Sequence, residues 1–282
     1  EQVHTLSGKY FNAETEVPNL LAINNKGGLN NYHFSQAFLK LLFGRFDEAV
    51  TEISAAEKYK DLILGVPLGN YLPFMVALCH FARHLESPDP KTAGILRKRL
   101  KQISKLAKQC VDDFAHKTLF TQGMLSAVQG KVGEALMQFQ QALDTIHPDI
   151  NRFDKALCSF IYARYCAVVG FREMAVLKLK ESRSLFEWIQ ATAVVDYQNS
   201  LLEEMDVSSS AGGLKDFSVS VSSSVTHDGI DLFSVIKSTH VISSEYELNE
   251  LLKRMLPVII ENAGAQKGVI VLLENNQMFV KA

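Results

Sequence analysis

The sequence predicts a mainly α-helical fold, in which an irregular array of helical hairpins precedes the first helices and strands of an α/β domain. Three observations support this prediction. Residues 30–205 are rich in helix-forming side chains, and their apolar residues recur at helical spacing. A pattern of small residues around a glycine occurs three times in that part. The last stretch, from Glu261 to Ala282, indicates a helix end, a strand, a tight turn and a second strand.

The glycine pattern occurs in "FGRFDEAVTEISAAE", "QGKVGEALMQFQQAL" and "VGFREMAVLKLKESR". Each stretch has a glycine at the predicted bend. Small residues lie five and twelve positions after the glycine, and a large apolar residue lies nine positions after it. Another small residue lies seven positions before the glycine, just upstream of each quoted stretch. The positions are Ala37, Gly44, Ala49, Ile53 and Ala56; Gly123, Gly130, Ala135, Phe139 and Ala142; and Ala163, Gly170, Ala175, Leu179 and Ser182. Small side chains allow two antiparallel helices to approach closely, and glycine allows the left-handed backbone that ends the first helix.

This skeleton resembles the tetratricopeptide repeat, a helix–turn–helix unit of about 34 residues. The three glycines are 86 and then 40 residues apart, so the array is irregular. The longer interval holds another predicted pair of helices, Tyr71–Glu86 and Lys91–Cys110, which are joined by "SPDP". We therefore predict about five helical hairpins that form a tetratricopeptide-like α-solenoid over residues 1–205. The alternative is an irregular helical bundle in which the alanine spacing arises by chance.

The composition is that of an ordinary globular protein. Hydrophobic residues make up 47%, charged residues make up 21%, and the net charge is −2. This balance gives no reason to expect nucleic acid or an anionic membrane as a partner. The first residue is Glu1, no signal-peptide pattern follows it, and no apolar run approaches the roughly 18 residues of a membrane span. We expect an internal piece of a cytoplasmic protein, with reduced cysteines.

The composition changes after the helical part. Residues 206–228 are rich in serine and glycine, which is typical of a mobile linker. Within residues 229–282, Ser244 and Glu247 form a capping box for a helix that we expect to end at Gly264. "GVIVLL" predicts a strand that is covered on both faces, and "ENNQ" predicts a hairpin turn to a second strand.

The C-terminal segment resembles the start of the GAF domain in very large hybrid sensor histidine kinases, in particular those of fungi. The stretch "SSEYELNELLKRMLPVIIENAGAQKGVIVL" carries this resemblance. In the helical part it is carried by "FGRFDEA", "KQISKLAKQCVDDFAHKTLFTQGMLSAVQGKVGEALMQFQQALD" and "LFEWIQATAV". In that family, kinase-like, AAA-type ATPase, tetratricopeptide-like, GAF and histidine-kinase regions follow one another. The resemblance implies that residues 1–205 are the tetratricopeptide-like region and residues 229–282 a truncated GAF domain.

The resemblance also implies a function for the parent chain. The parent is expected to be a homodimer that phosphorylates its own histidine with ATP and magnesium, then passes the phosphoryl group to a phosphotransfer protein and a response regulator in stress signalling. Neither "NNKGGLNN" nor "SAGGLKD" matches a P-loop, and His240 lacks the acidic neighbour of a phosphoacceptor histidine. We predict a non-catalytic scaffold, without a cofactor, that binds protein partners and couples to other domains of the kinase. The alternative is a stand-alone tetratricopeptide-type adaptor with no kinase parent.

A basic helix is the first candidate interaction surface. In "RKRLKQISKLAK", an apolar stripe contains Leu96, Leu100, Ile103 and Ala107, and the basic residues are expected mostly outside it. The basic residues are Arg97, Lys98, Arg99, Lys101, Lys105 and Lys108. Such a face could dock an acidic protein or an anionic surface, and the alternative is a solvated outer face.

Two further groups are candidate chemical sites. Cys158 and Cys166 could sense peroxide if their thiolates were stabilised and exposed, and the alternative is buried, inert thiols. His80 and His84 lie one helical turn apart, a spacing compatible with a metal. No third ligand is evident in the sequence, so packing or surface roles are favoured for both histidines, and we expect no metal site.

Overall fold

The computed structural model describes residues 6, 11–60, 67–147, 151–210, 271–274 and 277–280. The described part of the chain is mainly helical, as predicted, with ten helices and one pair of strands. The helices are α1 (Ala13–Ala22), α2 (Lys26–Leu42), α3 (Phe46–Glu57), α4 (Pro67–Glu86), α5 (Thr92–Ala107), α6 (Val111–Val128), α7 (Val132–Thr145), α8 (Arg152–Val168), α9 (Arg172–Trp188) and α10 (Thr192–Ser210); the strands are β1 (Val271–Glu274) and β2 (Gln277–Val280).

Consecutive helices pack side by side, as α2 with α3, α4 with α5, α6 with α7 and α8 with α9. The three predicted bends lie between the members of such pairs, and their glycines have positive φ angles of 73° at Gly44, 75° at Gly130 and 85° at Gly170. At the first bend, Arg45 N donates to Lys40 O at 2.8 Å and Gly44 N donates to Leu41 O at 3.3 Å. This pair of bonds is a Schellman cap, which satisfies carbonyl groups that the end of a helix leaves free.

The small residues of the skeleton lie where neighbouring helices meet. Ala49, Ala135 and Ala175 are fully buried. At the crossing of α6 and α7, a Cβ atom added to Gly123 would lie 2.8 Å from Cδ1 of Phe139. The glycine therefore allows the Phe139 ring to lie directly against the α6 backbone, which is the close approach that the spacing predicts.

Helices α4 and α8 form the centre of the helical part. Ten residues of α4 and eleven of α8 are buried, so neither helix has a broad solvent-exposed face. α4 begins at Pro67, four residues before the predicted start at Tyr71. Proline suits the first turn of a helix because its missing N–H group has no helical partner there.

The first helices of the hairpins also contact one another. The Phe38 ring of α2 lies 5.1 Å from the Phe153 ring of α8, centroid to centroid. Phe43, at the end of α2, lies 5.6 Å from Tyr197 of α10. An open solenoid leaves the inner side of these helices accessible to a partner. Here aromatic side chains at α2 contact α8 and α10, so these parts of α2 are not free to receive a partner.

The chain forms two compact units, residues 1–220 and 221–282. α10 continues to Ser210, five residues into the predicted linker 206–228. In the second unit, β1 and β2 pair antiparallel with Val271 opposite Val280 and Glu274 opposite Gln277. This pairing agrees with the predicted hairpin, and the first three residues of the predicted strand "GVIVLL", 268–270, lie outside the described residues. The predicted helices of residues 229–270 lie outside the described residues.

Candidate interaction surface

The exposed side of α5 carries a contiguous basic face, which consists of Arg97, Lys98, Lys101, Lys105 and Lys108. All five residues are exposed. With 3.6 residues per turn, they fall within a sector of about 100° around the helix axis. The buried residues Leu96 and Ile103 lie on the opposite side. This geometry agrees with the predicted amphipathic helix, and it places all five candidate cations where a partner could reach them.

The basic face has no acidic neighbours that neutralise it. No acidic residue occurs between Lys91 and Gln109. Among the described residues, no carboxylate oxygen lies within 4.0 Å of any of the five cations, so none of them forms an ion pair there. Surface cations of this kind attract anionic partners and raise their association rate, and salt screens the attraction.

Arg99 differs from the other basic residues of α5, because it is buried and only 7% exposed. Its Nη2 lies 2.6 Å from Glu57 Oε1 in an ion pair, and its Nη1 donates to Gln102 Oε1 at 3.0 Å. The basic residues of α5 were expected to lie mostly outside the apolar stripe, and Arg99 is the exception. Its spacing from Leu96 and Ile103 matches the buried side, so a helical wheel could have identified it.

A second charged group lies in the interior of the helical part, and the sequence did not indicate it. Asp154 of α8 accepts hydrogen bonds from Tyr71 Oη at 2.6 Å and from Lys117 Nζ at 2.5 Å, and its Oδ2 lies 3.0 Å from His116 Nε2. Asp154 and Lys117 are 6% and 3% exposed. Burial alone raises the pKa of Asp154, but the hydrogen bonds and the charge of Lys117 outweigh it and lower the pKa to about 2. The group joins α4, α6 and α8 and has a structural role, since it is closed to solvent.

The structure places both candidate redox thiols in the core. Cys158 and Cys166 are fully buried. Burial raises the pKa of Cys158 well above its ordinary value, and it raises that of Cys166 to about 12. A thiolate is the reactive form, so both properties oppose rapid oxidation. Cys110, which the sequence reasoning did not single out, is exposed and donates from Sγ to Asp113 Oδ2 at 3.1 Å.

The two helical histidines do not form a metal site with other residues in the part of the chain that the structure describes. His84 Nδ1 accepts a hydrogen bond from Asp89 N at 3.0 Å, and burial lowers the pKa of His80 and of His84. No group of three or more His, Cys, Asp or Glu residues within the described ranges could hold a metal ion. None of the helices in those ranges is long and apolar enough to cross a membrane. His240, considered as a phosphoacceptor, lies outside the described residues.

Trp188, the single tryptophan, lies at the end of α9 and is 68% exposed. The guanidinium carbon of Arg152 lies 3.2 Å from the centre of one of its rings, in a cation–π contact. Trp188 is the last residue of α9, and α10 is the one described helix that follows it before residue 211.

Comparison with known proteins identifies one relative, and no protein-family model matches the chain. The chain is similar to hybrid signal transduction histidine kinase G of Dictyostelium discoideum, with 46% identity over 48 residues. These residues are 17% of this chain and 1% of that protein, so the match spans a very small part of the relative. The similarity supports a relation to histidine kinases; the fungal origin and the GAF assignment stay predictions.

Proposed function

We propose that this chain is a non-catalytic protein-interaction and signal-coupling region of a sensor histidine kinase that feeds a His–Asp phosphorelay in stress signalling. The similarity to a hybrid histidine kinase supports the link to signalling. In this proposal, the paired helices of the first unit form an irregular tetratricopeptide-like scaffold, and residues 229–282 begin a GAF domain. ATP, magnesium, the phosphotransfer protein and the response regulator belong to the parent, which acts as a cytoplasmic homodimer.

The basic face of α5 is the observation that supports an interaction role most directly. Five exposed cations in one sector, without a neutralising carboxylate among the described residues, are complementary to an acidic segment of another domain or protein. A membrane surface fits less well, because interfacial helices also insert large apolar side chains. The large apolar side chains that are exposed within the described residues lie on other elements, and none of them lies on α5.

The interaction role is tested by reversing charges on the basic face. We expect the 282-residue chain to bind a fluorescein-labelled poly-glutamate peptide at low salt, measured by fluorescence anisotropy. The double variant Arg97→Glu/Lys101→Glu should bind about tenfold more weakly, since it replaces attraction by repulsion. The matched control, Arg172→Glu/Lys180→Glu, reverses two exposed cations on α9 and should keep the affinity.

Two results would contradict this role. Equal loss of affinity in both double variants would mean that peptide binding depends on the net charge of the protein rather than on the α5 face. Preferential binding to phosphatidylserine vesicles over the peptide, with the same dependence on Arg97 and Lys101, would identify a lipid surface as the partner instead.

The non-catalytic part of the proposal has a separate test. Incubation of the chain with radiolabelled ATP and magnesium should leave it unlabelled, and steady incorporation would overturn the proposal. If the chain is instead a stand-alone adaptor, we expect the basic face to bind the acidic peptide in the same way. Such an adaptor differs in lacking a kinase, so autophosphorylation of the complete natural chain on histidine would exclude it.

A further inference from the structure

A cleft lies beside the basic face, between the end of α3, the start of α4 and α5. Its volume is about 470 Å³, which is within the usual range of small-molecule sites. Lys60 lines it from beyond α3, Asn70 from the first turn of α4, and Lys105 from α5. The cleft is therefore built from three segments that are separate in the sequence.

The charges that line the cleft are unbalanced. One acidic and three basic side chains line it, which gives a net charge of +2. The acidic residue, Glu57, is already engaged by Arg99. Lys60 and Lys105 have no ion-pair partner among the described residues. Two ammonium groups therefore face the cleft without a counter-charge from the described part of the protein.

Hydrogen-bond donors also exceed acceptors in the cleft. Arg99 has five N–H donors and no acceptor, and Glu57 and Gln102 engage its two terminal nitrogens. Its buried Nε has no hydrogen-bond partner among the described residues. A buried donor without a partner is costly, so an arginine left in this state indicates that acceptors are lacking around it. An anion is the ligand that supplies acceptors and negative charge together.

The start of α4 adds to the preference for an anion. Gly69 and Asn70 belong to the first turn of this 20-residue helix and line the cleft. Backbone N–H groups of a first turn have no helical acceptor, and the helix dipole places partial positive charge there. Phosphate groups bind readily at such helix ends, and the lysines and arginine reinforce this one.

The remaining wall of the cleft is apolar. Leu72, which is 5% exposed, and Leu106 line this side together with Pro73. An inorganic ion would leave this wall in contact with water. A ligand with a small apolar group attached to its charged end would cover it, and burial of apolar area is favourable at about 25 cal/mol per Å².

We propose that this cleft binds a small phosphate monoester that carries an apolar group. The phosphate, which is close to a dianion at neutral pH, matches the net charge of +2 and receives hydrogen bonds from Lys60, Lys105 and the first turn of α4. The apolar group lies against Leu72 and Leu106. Lys105 belongs to this site and to the basic face, whereas Arg97 and Lys101, which test the protein-docking role, do not line the cleft.

The test is isothermal titration calorimetry of the 282-residue chain with phenyl phosphate, with phenol and inorganic phosphate as separate probes. We expect saturable binding of phenyl phosphate, weaker binding of inorganic phosphate and none of phenol. Lys60→Gln and Lys105→Gln should each weaken phenyl phosphate binding by about fivefold, since each removes one charge-assisted contact at a partly exposed site. The matched control is Lys101→Gln, one turn from Lys105 on the same helix but outside the cleft, which should change the affinity by less than about twofold.

Three results would overturn the proposal. The absence of saturable heat with phenyl phosphate would exclude the site. Equal weakening by Lys101→Gln and Lys105→Gln would assign the binding to the basic face as a whole. Equal affinity for phenyl phosphate and inorganic phosphate would exclude the apolar contact and hence the monoester. Far-ultraviolet circular dichroism of each variant should match the parent spectrum, because none of the three lysines is buried. None of these results depends on whether the poly-glutamate peptide binds.

Discussion

Replacement of Asp154 by asparagine tests whether the buried charged group holds α4, α6 and α8 together. The ordinary pKa of this carboxyl is 3.8 and folding lowers it to about 2, a difference that corresponds to roughly 2 kcal/mol. Asp154→Asn removes this stabilisation and also leaves Lys117 charged, buried and without its carboxylate. Breaking a buried ion pair in this way costs about 3–5 kcal/mol. We expect a loss of that size in the free energy of unfolding.

The measurement is urea unfolding of the 282-residue chain, followed by far-ultraviolet circular dichroism, which reports on the helices of the first unit. A second variant, Asp154→Asn/Lys117→Met, removes both charges. It should recover at least half of the loss, because a neutral pair of similar volume leaves no buried charge unpaired. The comparison of single and double variants separates the ion pair from a general disturbance of packing.

The pH dependence gives an independent check with a defined sign. Because folding lowers the pKa of Asp154, its contribution is fully present above the unfolded pKa of about 4 and is lost as the pH falls towards 2. The difference in stability between the parent and Asp154→Asn should therefore shrink over that interval. A loss below about 1 kcal/mol at neutral pH, or a double variant no more stable than the single one, would refute the reasoning.

Three further predictions concern the helix ends and the thiols. Gly130→Ala should cost about 1 kcal/mol, from the positive φ alone, because a Cβ atom there meets nothing within 4 Å. Gly44→Ala should cost roughly 2 kcal/mol, because its Cβ atom also collides with Tyr197 Oη; equal urea midpoints for the two variants would contradict this difference. Gln190→Gly should raise the free energy of unfolding by about 1 kcal/mol, since Gln190 has a φ of 61°; a lower urea midpoint than the parent's would contradict this. Ellman's reagent should modify one thiol of the folded chain, Cys110, and all four after denaturation; a second fast thiol would show that a buried cysteine is accessible.

The helix ends could be predicted because they depend on local backbone chemistry. Gly44, Gly130 and Gly170 have the positive φ angles that their position between two helical patterns implied. Two other helix ends were not identified, because Asn24 and Gln190 adopt positive φ without glycine. Side chains other than glycine give no clear signal of this conformation in a single sequence.

The contacts between distant helices could not be predicted from one sequence. Lys117 and Asp154 are 37 residues apart, and each resembles an ordinary surface residue of an amphipathic helix. Their pairing depends on the angle at which α6 and α8 cross, which the periodicity of either helix does not specify. The same holds for the cleft, which needs Lys60, Asn70 and Lys105 to converge from three segments.

The contact between Phe43 and Tyr197 connects the second helix of the array to its tenth. In a linear repeat protein each repeat contacts only its neighbours, so the two ends can move apart without disrupting the packing of the central repeats. Here the end of α2 and α10 contact each other directly. A displacement of α10 would reach α2 through the contact of Tyr197 with Phe43 and bypass the seven intervening helices α3–α9. A displacement would then affect α2 and α10 together, rather than pass along the array from one hairpin to the next.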